Sequence, residues 1–141
     1  MQIRKRFWFA VACAATATPF LSTAVSAEGL DGSSDIVCSV MDVVGCVEGA
    51  GCMQGRADSF DLPGFVILDA KKKVMRGSYE SGNEAVSPVK NMERNGDHLV
   101  LQGVENSRGW EFAINTKTGL MSAAVVGDAI SFLVFGACTA I

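Results

Sequence analysis

One histidine, one tyrosine and three prolines in 141 residues leave this sequence short of the usual machinery of proton transfer. His98 follows an Asn-Gly pair and stands beside Asp97. A hairpin end offers no dry pocket for a general base, so we read His98 as an exposed strand-start residue. No Gly-x-Ser-x-Gly elbow anchors a serine-hydrolase reading. No Cys-x-x-Cys supports thioredoxin-like redox chemistry, and no Gly-rich phosphate cradle opens a helix. Asp31, Asp35 and Asp42 match no calcium loop. The cysteine spacings match no common zinc pattern. We therefore expect no enzyme, no metal and no cofactor. Helical periodicity is also missing, since no window after the N-terminal segment sustains apolar residues at i, i+3, i+4 and i+7.

What is present begins with an export signal. Arg4, Lys5 and Arg6 precede an apolar stretch from Phe7 to Ala15, too short to span a bilayer. Val25-Ser26-Ala27 supplies the small residues of a cleavage site. Residues 1–27 are thus read as a signal peptide, and the mature chain as periplasmic or secreted. A competing reading makes Cys13 a lipidated N-terminus, although its Ala10-Val11-Ala12 box lacks the usual leucine. Without the first 27 residues, nine Lys and Arg face fifteen Asp and Glu, a net charge of −6. That charge disfavours nucleic acid and anionic lipid and suits a basic partner or simple solubility. No later apolar run is long enough to span a membrane.

Four cysteines remain in the mature chain: Cys38, Cys46, Cys52 and Cys138. An even number in an exported chain points to disulfides, and four allow three connectivities. Cys46 and Cys52 flank a turn-like Val-Glu-Gly-Ala-Gly insert, so we expect them to face each other across a hairpin. Cys38 is then left to Cys138, joining first strand to last. Closing a loop of about 100 residues adds about 4–5 kcal/mol in the chain-entropy model. A Cys38–Cys52 link would instead mean a different hairpin register.

Residues 28–34 are polar and Gly/Ser-rich, and read as a flexible linker. Residues 35–141 read as one β domain. A strand is expected over Asp35–Val47, with Gly45 marking a bulge, then a weak edge strand over Cys52–Ser59. Pro63 suits a strand start or corner. Phe65–Leu68 is apolar on both faces and is expected to be buried. Lys71–Lys73 sit at a solvated turn that protects an edge. A modest strand follows over Pro88–Arg94. Asn95-Gly96 is the strongest hairpin signal, suited to a type I′ turn. After it His98–Glu105, Trp110–Asn115, Leu120–Val126 and Ala129–Cys138 alternate with turns. The run from Gly103 to Cys138 is the expected heart of the sheet. Turn signals every 8–12 residues predict an all-β antiparallel meander of about eight strands, closing as a barrel or a sandwich.

Two carboxylate pairs, Asp58 with Asp61 and Glu105 with Glu111, are the residues a small glycoside hydrolase would need, but such chemistry requires a long cleft. Trp110, Phe112, Phe132 and Phe135 could line a barrel mouth around an apolar ligand; in small barrels such residues fill the core, and we read them so. Exposed loops carry recognition more often than strands do, so Gly82, Asn83, Asn106 and Arg108 are the candidate surface for an unidentified protein or small ligand.

Leu101–Asn106, Arg108-x-Trp110, Thr118-Gly119-x-Met121, Gly127-Asp128 and the ending Phe135-Gly136-Ala137-Cys138-Thr139 resemble small uncharacterised exported proteins of proteobacteria. That resemblance implies an exported, disulfide-bonded β domain and no particular activity. A looser one is to periplasmic inhibitors of c-type lysozyme, which are small, stapled, eight-stranded barrels. Their Ser-Gly-x-x-Tyr loop is not matched by Ser81-Gly82-Asn83. It implies an inhibitor of a basic envelope-attacking enzyme.

Overall fold

The computed structural model describes residues 27–141; the expected signal and Cys13 lie outside them. Nine strands follow in order: β1 (Ile36–Val47), β2 (Gly51–Gly55), β3 (Phe65–Asp69), β4 (Val74–Ser78), β5 (Glu84–Asn95), β6 (His98–Glu105), β7 (Arg108–Asn115), β8 (Leu120–Val126) and β9 (Ile130–Ala140). All pairings are antiparallel. Neighbours pair in turn from β3 to β9, and β9 pairs with β1, which returns to β3. Eight strands therefore close a barrel, and β2 is an extra strand on the second half of β1. The expected meander is a barrel rather than a sandwich.

Alternation along each strand sets what lies inside. Ile36, Leu68, Leu99, Leu101 and Ile114 are almost fully buried, and Trp110, Phe112 and Phe132 point inward with them. The barrel has one covered face, so runs that are apolar on both faces leave half their residues outside. Phe65, expected to be buried, is 53% exposed, and Phe135 is exposed as well. Cys38 and Cys138 are directly opposed in the β1–β9 ladder and bonded at the seam of the barrel. Cys46 and Cys52 are opposed and bonded in the β1–β2 hairpin. Both expected pairings hold.

Several local expectations are corrected. The stretch 28–34, read as a linker, is a series of turns that buries Leu30 to 1% exposure and joins the core. A single leucine plugs the barrel end there, a contribution that a composition reading overlooks. Gly45 marks no bulge: the register shift of β1 falls between Val40 and Asp42. A Cβ at Gly45 would lie 2.7 Å from the Phe60 ring, so the glycine makes room for an aromatic. The strand expected over Cys52–Ser59 ends at Gly55, and a 3-10 helix (Ala57–Phe60) follows. The modest strand at Pro88–Arg94 is longer, with a register shift between Val89 and Asn91.

The hairpin turns also differ from expectation. Asn95 pairs with His98, so the two-residue loop is Gly96-Asp97 and only Gly96 takes positive φ, 59°. Glycine at the first central position is the type II′ pattern. The type I′ pattern, with positive φ at both central residues, belongs to Asn106 (48°) and Ser107 (64°).

Candidate site at the barrel mouth

One end of the barrel is plugged by Leu30. At the other end β4, β6 and β8 finish and β5, β7 and β9 begin. The segment 56–64 lies across this end. Its Phe60 packs edge-on against Phe132 at 5.8 Å. The N–H of Gly64 donates to the Ser78 carbonyl (3.1 Å), while the Gly64 carbonyl accepts from the Val40 N–H (2.9 Å). The strap is thereby fastened to β4 and β1. Beneath it is a cavity of about 140 Å³.

The cavity has apolar walls from Leu62, Pro63, Val66, Met75, Trp110 and Phe112. Trp110 is held from three sides. Its ring meets Phe112 edge-on at 5.7 Å. Its Nε1–H donates to Ser87 Oγ at 2.8 Å, a buried hydrogen bond. Gly103 stands opposite in the ladder, and any Cβ there would collide with the indole. Ser87 lines the cavity, and among the described residues its hydroxyl proton finds no acceptor. A hydroxyl oxygen carries two lone pairs, so Ser87 has both a donor and an acceptor position left.

Tyr79, Glu105, Asn106 and Arg108 form the rim. Burial pushes the Tyr79 phenol above its ordinary range, and the nearby charges of Glu105 and Asp61 add to that against the opposing pull of Arg108. Tyr79 is therefore a neutral phenol at physiological pH. Arg108 makes no ion pair among the described residues, although it faces Glu105 in the ladder.

Of the four candidate recognition residues, Asn106 and Arg108 edge the cavity. Gly82 and Asn83 lie in the β4–β5 turn at the same end, where Tyr79 bonds to both backbones, but they do not line it. The carboxylate pairs form no acid–base couple. Glu105 stands opposite Arg108, while Glu111 stands opposite Gln102 and accepts its amide at 2.6 Å. Asp58 sits beside Arg56 at 3.6 Å. His98 is exposed at the far end of β6. Tyr79, Ser87, Met75 and Val66 were not singled out in the sequence, because the inward faces of β3 to β5 meet Trp110 and Phe112 of β7 only when the sheet curls. The one available signal was scarcity: Tyr79 is the only tyrosine. Set against protein-family models, curated proteins and solved structures, the chain matches none, so its functional reading rests on the barrel and its mouth.

Proposed function

We propose that the mature protein is an exported, non-enzymatic binding barrel of the cell envelope that holds a small apolar group at its mouth. The cavity under the strap carries the reading: an eight-stranded barrel is just wide enough to be filled by side chains or to hold one small ligand, and here the walls leave about 140 Å³. A cavity of roughly 150 Å³ lined by aliphatic and aromatic side chains is known to take up benzene. Export is supported by the N-terminal signal and by two disulfides, which persist in oxidising compartments. Trp110 is the only tryptophan after residue 27, so its fluorescence reports on the cavity directly. Titration with benzene or toluene should shift Trp110 emission saturably, and Ala85→Phe, which fills the cavity, should abolish the response. No response to any benzene-sized probe, or measurable turnover of a substrate, would remove the reading.

A second reading, inhibition of a basic envelope-attacking enzyme, is favoured by the charge at the same end. The segments 48–50, 56–64, 79–84, 105–108 and 127–129 hold seven carboxylates and two guanidinium groups. Equimolar mature protein should slow cell-wall lysis by a basic lysozyme; unchanged rates at tenfold excess and separate elution would exclude it.

A further inference from the structure

We infer that the ligand of the mouth cavity is a small organic cation: a benzene-sized apolar group bearing an ammonium that stays at the rim. The inference rests on the cavity reading above and adds the charge class of the occupant.

Charge is distributed unevenly over the barrel. The mouth segments carry a net −5 out of the −6 of residues 28–141. At the plugged end, the turns 70–73, 96–97 and 116–119 carry four lysines and one aspartate, and the three acids of 28–35 bring that end to neutrality. The cavity lining itself carries one charge of each sign, Glu105 and Arg108, so the potential at the rim is set by the surplus of carboxylates on the surrounding loops. A cation seated at the rim therefore gains attraction, whereas a carboxylate or phosphate meets a surplus of like charge.

The rim also supplies the matching groups. Glu105 is placed beside the cavity, and Asp61 is close enough to act on the Tyr79 phenol. Arg108 is the one rim cation, and two carboxylates outweigh it at the Tyr79 oxygen. At the rim, the Tyr79 oxygen has lone pairs free for an N–H donor of an ammonium. Trp110, Phe112 and Tyr79 give the lining an aromatic character, and aromatic rings attract cations that approach over their faces. An anion would find Arg108, the Asn106 amide and the hydroxyl protons, all set within the acidic loops. The apolar walls beneath require an uncharged body, so a bare metal ion or a polyamine without an apolar group fits poorly.

The test uses three probes with one shared ring: benzylammonium, benzyl alcohol and benzoate. Each is titrated into the mature protein with Trp110 fluorescence as readout, at about 20 mM and about 300 mM salt. Benzylammonium should bind about tenfold more tightly than benzyl alcohol at low salt, the advantage should shrink to about threefold or less at high salt, and benzoate should bind most weakly. Glu105→Gln should cut the ratio of the benzyl alcohol Kd to the benzylammonium Kd about threefold, with an unchanged far-ultraviolet circular dichroism spectrum showing that the variant is folded. Asp61→Asn, at a position with φ 51° that asparagine tolerates, provides an independent second variant. Equal or tighter binding of benzyl alcohol or benzoate overturns the charge inference and leaves the cavity reading standing. Silence from all three overturns both.

Discussion

Gly103 and Trp110 face each other across β6 and β7, and the indole occupies the volume that a side chain at 103 would need. The tryptophan is thus placed by the absence of a Cβ as much as by its hydrogen bond to Ser87. Gly103→Ala should destabilise the fold by about 3 kcal/mol, the upper end of the overpacking range, read as a lower denaturant midpoint at an unchanged m-value. A variant with wild-type stability would mean that the indole is free to move aside. Tyr79 provides the pH-dependent readout at the same scale. Its proton is held more tightly in the fold than in the unfolded chain, chiefly through burial. Its contribution to stability is therefore fully present below the unfolded phenol value, about 10, and is lost as pH rises through the raised folded value. Because the chain has a single tyrosine, the phenolate absorbance band belongs to Tyr79 alone. Its midpoint should lie above 10, and Glu105→Gln should lower it; a midpoint at or below 10 would place the phenol in open solvent.

Among the elements, β1 is the most heavily used. Its first half pairs with β3, its second half with β2, and its whole length with β9. The two disulfides staple it to β9 and β2 across sequence separations of 100 and 6. Chain-entropy arguments assign about 4.7 kcal/mol to the long closure and about 2 kcal/mol to the short one. Replacing Cys38 and Cys138 together by alanine should therefore lower stability by roughly twice as much as replacing Cys46 and Cys52, measured by chemical denaturation. Equal losses would indicate that the open chain already keeps its first and last strands together. The 28–34 segment is a case in which composition misled. Gly, Ser and Asp are turn formers, and here their turns deliver Leu30 into the barrel end. The Asn-Gly signal was right about a hairpin and one residue off in register, since β5 runs through Asn95.

The whole molecule is a closed ladder with one appendage. Closure satisfies both edges of the barrel strands, whereas β2 pairs only with β1 and all but the last of its residues are exposed. Native-state amide exchange should show the slowest amides in β6, β7 and β9 and markedly faster ones in β2, since exposed edge hydrogen bonds open locally. Protection in β2 equal to that in β9 would contradict this ranking. All-β class, strand rhythm, disulfide partners and inward residues such as Trp110 and Phe112 were legible in the sequence, because alternation, turn chemistry and cysteine placement are local patterns. The mouth cavity was not. Tyr79, Ser87, Glu105 and Arg108 come from the successive segments β4 to β7, and only the curling of the sheet under the 56–64 strap gathers them around one space. The sequence by itself determined that the chain would alternate, turn and staple itself into a small β domain of net negative charge. The tertiary structure decided that the sheet closes as a barrel, that Leu30 plugs one end and that the acidic loops gather at the other. Those outcomes depend on register and on contacts between residues far apart in the chain, which no local pattern records.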